Sequence, residues 1–540
     1  MIKKINRNSF YRILTFIIIV FVLTLTVSDN KLMLSGLTLE FKGNTSKMPE
    51  NAKKRDSVVI GAPSLEGEFN PLIAYTKADL IVVGNIFEPL ISFDDEGRPQ
   101  CVLAERYKVS SDGLIYSFKL RKDVKFSNGD ILTARDVFMT YTAICDISLA
   151  GNIISKELSG LEGYDDYRNG DSDVIAGIEI IDDLNISFKF NEISNSHINA
   201  FRAGIMSEGS ILIDNDITVR DKAHIESRAP IGTGAYKLHS YADGMQAVLT
   251  RNNNYHGVQG KAEEIIIKNM NQKDVKNEFE SGDVDIYLLT GKQDIFEMTK
   301  SLEYVNLYSY ESNIGKRIII NCENEILRDY QVRQAMQYAF NRTSIIQDLY
   351  NDTAYVNYSP YIKSSYVSKQ NFNKYNYNIK KANSLLKEVN GEKLIFSLLI
   401  NEFDKDYAVN REIAEIFSED MRKIGIEINI NIVDNSIFKN DIERLKSFDL
   451  YFTEYSNDFY QDPEKRFSED NKLWNDENIK ILLNDLKSLT DIEKYEQICK
   501  EITYLYNKDC PYIFVLEQKQ FVLCSSKIDR FEVNSYIKIY

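Results

Sequence analysis

Residues 394–400 form an apolar run of strand length. Between 408 and 424, Ile413, Ile416, Phe417, Met421 and Ile424 recur at helical spacing, one apolar stripe on an otherwise charged helix. Gly425 stands where that helix stops, because glycine takes a positive φ without a Cβ clash. Ile426, Ile428, Ile430 and Ile432 then alternate with Glu427, Asn429 and Asn431, the period of a strand. Strand, helix and strand over this length predict a βαβ crossover in a parallel sheet. A second round follows, with a short helix over 436–445 and a strand over 448–455. Open α/β sheets bind ligands beyond the carboxyl ends of their strands. There the sequence places residues 456–463, an acid among aromatics and amides, the composition of a small-molecule site.

Upstream the pattern is different. Residues 57–62 read as a short buried strand, and a helix begins over 81–87. Turn signals at 94–97, 111–113 and 127–129 punctuate short strands. Thr133 is placed as the N-cap of a helix over 134–144. Residues 178–190 read as a hairpin turning at Asp182 and Asp183. The first third thus mixes hairpins with helices, while the chain beyond about 275 is richer in βαβ units, which argues for separate domains. A helix over 332–346 puts Val332, Ala335, Met336, Ala339 and Phe340 on one face. Arg333, on its polar face, reads as a solvated or ion-paired residue.

At 540 residues the chain exceeds one core. A hydrophobic content of 44% supports a large one, and the net charge of −15 is interspersed rather than blocked, with no basic stripe for nucleic acid. Lys3, Lys4, Arg7 and Arg12 precede an apolar stretch over 13–27, the pattern of a secretory signal. No small-x-small cleavage site follows, so an uncleaved signal-anchor with its charged end inside is the favoured reading and release the other. Residues 29–56 read as a polar tether. The six cysteines lack CxxC spacing; an exported site permits disulfides, and Cys510 and Cys524 are spaced to flank a hairpin, but unpaired buried thiols are favoured. Four scattered histidines without HExxH exclude the common zinc hydrolase pattern, and no GxSxG elbow occurs. Gly232 and Gly234 lack the rest of a phosphate loop and read as a tight turn. The sequence implies no enzyme, no metal and no cofactor.

Several landmarks stand in a fixed order: residues 86–90 (IFEPL), 103–107 (LAERY), 120–126 (LRKDVKF) with Asn128 and Gly129, and 132–137 (LTARDV). They continue with 231–237 (IGTGAYK), 282–285 (GDVD) and 332–342 (VRQAMQYAFNR). Together they resemble the extracellular solute-binding proteins of family 5, which serve peptide and nickel ABC importers. The resemblance runs from about residue 57 to the C-terminus. It implies an α/β, periplasmic-binding-protein-like two-lobed clamshell of type II, the large peptide-binding class, with an inserted α+β subdomain. Its expected divisions are a signal sequence or signal-anchor over 1–28, the tether over 29–56, lobe I over 57–90, 191–275 and 506–540, an inserted β-rich subdomain over 91–190, and lobe II over 276–505.

Family members hold a peptide's α-amino group with an aspartate in a lobe II loop. The matching residue is Asp458, with Asp462 and Pro463 at the family's proline element. One extra residue separates them and Tyr455 stands where tryptophan is frequent, so Asp462 remains a second candidate. A loop aspartate is also a common Asx-turn or N-cap residue. Asn457, Tyr455, Phe459 and Tyr460 are candidate pocket residues, although strand alternation sends at least one aromatic to the core. The lobe I contact maps to Lys77, Ala78 and Asp79. The lipobox cysteine usual in Gram-positive members is missing. The resemblance implies an extracytoplasmic monomer that captures peptides for an ABC permease and its ATPases, at the outer face of the membrane through its N-terminal segment. A metal chelate or other small solute as ligand, or a peptide-sensing receptor without transport, are the alternatives.

Overall fold

A computed structural model describes residues 37–94, 97–149, 152–211, 217–289, 295–360, 371–388, 394–404, 406–434, 448–456, 474–489, 492–529, 531–533 and 537–539. Strands form where β-branched and aromatic residues cluster between turn residues. In chain order, β1 (Thr38–Phe41) precedes β2 (Val58–Ala62), which is buried throughout. β3 (Ile91–Phe93) and β4 (Pro99–Cys101) make a small hairpin. β5 (Ala104–Val109), β6 (Ile115–Leu120), β7 (Ile178–Asp182) and β8 (Asn185–Lys189) form an antiparallel sheet in the order β5-β6-β8-β7. At the β7–β8 turn, Asp182 accepts from the Leu184 N–H, so this acid closes a hairpin, as read from the sequence.

Ten of the remaining strands build one large sheet with β1 and β2. They are β9 (Tyr236–Ala242), β10 (Gln246–Arg251), β11 (Glu264–Asn269), β12 (Ile286–Leu289), β13 (Val305–Ile320) and β14 (Ala354–Tyr355). β15 (Leu394–Asn401), β16 (Ile426–Val433), β17 (Leu450–Ser456) and β18 (Tyr512–Ser525) complete it. The order is β16-β15-β17-β13-β18-β12-β2-β11-β10-β9, with β1 added to β13 and β14 to β18. β15 and β16 pair in parallel over their full lengths, as the alternation of isoleucines predicts. The helix Tyr407–Arg422 connects them and buries Ile413, Phe417 and Met421 completely. Gly425 takes φ +80° at its end. The short helix read over 436–445 lies outside the described residues.

The apolar cores divide the chain in two along β13 and β18. Residues up to Tyr308, and again from Phe521, pack into cores around β2, β11 and the four-stranded sheet. Residues from Ile318 to Leu516 pack into a separate core around β15, β16 and β17. Among the described residues the chain therefore crosses from one core to the other along β13 and returns along β18. Val275, Phe279, Val284 and Leu302 lie in a core with Val59 and Phe521. Tyr506 and residues 512–516 lie in the lobe II core.

Three expectations change. The tether is folded from residue 37 onward: β1 pairs with β13, and Met48 and Ala52 are buried against Phe279 and its neighbours. The helix read over 332–346 is two helices, Tyr330–Ala339 and Arg342–Tyr350, because Asn341 caps the second by accepting from the Ser344 N–H. Arg333 is buried, not solvated, and donates to the carbonyls of Leu327, Arg328 and Asp509, each at 2.7 Å. Cys510 and Cys524 stand near the two ends of one strand, about 45 Å apart at the rise of a β-strand, and no bridge spans that. All six thiols are free, five of them buried. Burial pushes the Cys145 and Cys510 thiols up to about 12. Gly232 and Gly234 abut the end of the helix Lys77–Ile86; a Cβ at Gly232 would lie 2.1 Å from the Ile86 carbonyl oxygen, which accounts for these glycines without a phosphate. No helix among the described residues is long and apolar enough to cross a membrane.

Candidate functional site

β13 and β18 are apolar at both ends and polar between. In β18 the run 512–516 (YIFVL) and the run 521–524 (FVLC) flank Glu517, Gln518, Lys519 and Gln520. In β13 the polar stretch covers Ser309 to Arg317 and contains a bulge between Glu311 and Gly315. A strand that leaves one core and enters another has no apolar partner in the interval, so polar side chains fill it. Several are matched to neighbours: the Tyr310 hydroxyl donates to Gln520 at 2.5 Å, and Ser309 donates to Glu40 at 2.6 Å. Lys519 also reaches Glu40, at 3.1 Å.

The carboxyl ends of β15 and β17 open beside this polar waist. There Lys316 is wholly buried, its ammonium 2.6 Å from Asn410 Oδ1, 3.0 Å from Glu454 Oε1 and 3.4 Å from Asp406 Oδ2. Asp404 lies in the same cluster and accepts from Asn410 Nδ2 at 3.3 Å. Burial raises its carboxyl, the Asn410 bond works against that, and Glu454 adds to it. Among the described residues, Asp406 and Glu454 contact this one ammonium and Asp404 lies beside them, an acidic excess. Phe403, in the same loop, is exposed.

Tyr455 stands one residue before the end of β17. Its hydroxyl donates to Glu517 Oε1 at 3.1 Å and its ring lies 5.2 Å from the Arg317 guanidinium, so it is packed inside as alternation allows. Asn457, Asp458, Phe459, Tyr460 and Asp462 lie outside the described residues. On lobe I, Lys77 is exposed at the start of the helix Lys77–Ile86, while Ala78 and Asp79 are buried. Asp79 Oδ1 accepts from the N–H groups of Gly67 (3.0 Å) and Glu66 (3.2 Å), and burial raises its carboxyl. Ala78 and Asp79 therefore build the loop from inside, and the exposed groups there include Lys77, Tyr75 and Glu66, which accepts from the Tyr75 hydroxyl. Tyr75 was not singled out by sequence; its signal was an aromatic next to the helix N-cap, Thr76.

A cavity of about 380 Å³ lined by Arg328, Arg333, Trp474, Asp476 and Asp509 opens at the far end of lobe II. Cys322 and Glu323, which follow the end of β13 at Ile320, also line it, and Arg333 there is already committed to backbone carbonyls. Among the described residues no group of three or more His, Cys, Asp or Glu is arranged to hold a metal ion.

The model of bacterial extracellular solute-binding proteins, family 5, matches residues 98–474. The chain belongs to that family. This family 5 chain is 25% identical over 486 residues to the oligopeptide-binding protein AppA of Bacillus subtilis, covering 84% of each. It is 26% identical over 415 residues to the nickel-binding periplasmic protein of Escherichia coli, covering 70% of this chain and 72% of that one. Among solved structures, the unliganded open form of the periplasmic murein tripeptide-binding protein MppA superposes with a TM-score of 0.76 at 14% identity, over 94% of this chain and 99% of that one. The fold is thus the two-lobed, type II periplasmic-binding-protein fold, with the polar waist between its lobes.

Proposed function

We propose that this protein is the extracytoplasmic capture subunit of an ABC importer, closing its two lobes around a peptide and handing it to a membrane permease. The observation that carries this reading is the acidic excess of Asp404, Asp406 and Glu454 over Lys316 at the carboxyl ends of β15 and β17. Such a site favours a cationic group, and every unmodified peptide presents an α-ammonium. In this reading Asp458 binds that ammonium, with Asp462 as the alternative, and Asn457, Phe459 and Tyr460 line side-chain pockets. Lys77 and Tyr75 contribute from lobe I. Peptide main chain pairs with strand edges, giving sequence-tolerant affinity, and hinge closure occurs across β13 and β18. The protein acts as a monomer held at the outer membrane face by residues 1–28, which lie outside the described residues. The nickel-binding relative supports a second reading, a metal chelate as ligand in the same cleft.

Native mass spectrometry of the full chain, purified in mild detergent from cells grown in rich medium, tests both. A ladder of adducts at peptide masses, depleted in Asp458→Ala, is the expected result. A single metal-containing adduct favours the chelate, and a protein that carries neither and gains no thermal stability from a mixed peptide library is not a peptide carrier.

A further inference from the structure

Neighbouring residues on a strand point to opposite faces, so Glu454 and Tyr455 are held from both sides of the sheet. On one face Glu454 lies directly across the ladder from Lys316 and bonds its ammonium. On the other face Tyr455 pairs with Gly315, and Gly315 pairs in turn with Glu517 on β18. Because glycine has no side chain, the Tyr455 ring lies across it. A Cβ at Gly315 would stand 2.4 Å from Tyr455 Cζ, so the arrangement requires glycine there. The phenol bridges β17 to β18, a span of about 9.6 Å at ordinary strand spacing, and its hydroxyl reaches Glu517 Oε1. Glu517 is wholly buried and is matched by two more donors, Asn357 Nδ2 at 2.7 Å and the Tyr355 hydroxyl at 2.5 Å. Burial, reinforced by Glu517, drives the Tyr355 phenol far up, so it stays a donor at any physiological pH.

We propose that Glu517 is a positioning residue: through Tyr455, across the gap left by Gly315, it locks the carboxyl end of β17 to the strand that joins the two lobes. The ligand-facing end of lobe II and the interlobe connection then keep one geometry. The proposal rests on the reading that solutes are captured at those strand ends. A buried acceptor with three donors is rigid, because releasing any one of them leaves a polar group unsatisfied away from water.

The test uses the full chain in mild detergent with Tyr455→Phe, Glu517→Gln, the double variant and Gly315→Ala. Apparent affinity for a synthetic pool of unmodified tetrapeptides is measured by calorimetry at a temperature where each variant is folded, alongside amide hydrogen exchange of residues 448–456. Gly315→Ala, which evicts the ring, is expected to weaken binding about tenfold, and the single removals several-fold. The double variant should lose no more than the more affected single, since both remove one interaction. Exchange over 448–456 should accelerate in all four. A lowered melting temperature with wild-type affinity and wild-type exchange would overturn the proposal, as would additive losses in the double variant. If the wild type binds no tetrapeptide, the peptide reading fails by itself. The exchange rates still decide the lock: faster exchange supports it and unchanged exchange overturns it.

Discussion

At Asp79 two backbone N–H groups converge on one carboxylate oxygen, and the carboxyl is nonetheless raised above its ordinary 3.8 because burial outweighs them. The folded protein therefore binds this proton more tightly than the unfolded chain. A raised folded value means that the stabilisation is complete below the unfolded pKa and is lost as pH rises through the folded one. The window thus opens near 3.8 and extends upward. Asp79→Asn keeps an acceptor for the Gly67 N–H and removes the titration. The stability of the wild type relative to this variant should grow as pH falls from 7 toward 4, measured as paired urea midpoints. A difference that does not change with pH would show that Asp79 is not penalised in the fold. Asp404 obeys the same sign, since burial is again the largest influence on it. Its acid neighbours make it a poor single-site probe.

At the scale of elements, what local chemistry specifies was readable. Thr133 caps its helix, and Asp136 returns the bond to the Thr133 N–H at 2.8 Å, a complete capping box. Thr133→Ala is expected to cost about 1 kcal/mol, the usual worth of a cap. Asp136→Ala should cost more, because the same carboxylate also accepts from the Glu208 N–H at 2.8 Å, tying the helix to a distant segment. Equal losses in a urea series would mean that the second bond carries nothing. The stripe through Ile413, Phe417 and Met421, the Gly425 stop and the parallel β15–β16 pair were readable for the same reason: period and propensity agree within one window. β18 was not. Its polar centre, Glu517 to Gln520, breaks an apolar run in two and imitates a hairpin, and only pairing with β13, about two hundred residues away in the chain, makes it one strand. Tyr455 was singled out by its place at the end of β17. Its role as a bridge depends on Gly315 and Glu517, whose adjacency no local pattern encodes. Arg333 misled because helical position predicts exposure only when nothing packs over that face, and here the loop at Leu327 and the end of the helix Ile492–Asp509 do.

At the scale of the molecule, two sets of cores joined by two strands need not unfold as one. The lobe II core contains Trp474, the chain's sole tryptophan, in edge contact with Tyr506. Its fluorescence therefore reports that lobe alone, while far-UV circular dichroism reports the whole. Phe417 is fully buried in the same core and meets Phe340 edge-on at 5.0 Å. Phe417→Ala should cost about 3–5 kcal/mol by cavity formation. That loss falls on lobe II, because Phe417 touches neither of the other cores. The Trp474 transition in urea should then move to lower concentration and separate from the dichroism transition, which keeps a late phase from lobe I. A solute closed between the lobes binds only when both are folded, so adding a peptide pool should bring the two transitions back together by mass action. Coincident transitions in Phe417→Ala would mean that the polar waist, with Lys316 and Glu517 at its centre, couples the lobes more strongly than a cavity of this size can divide them.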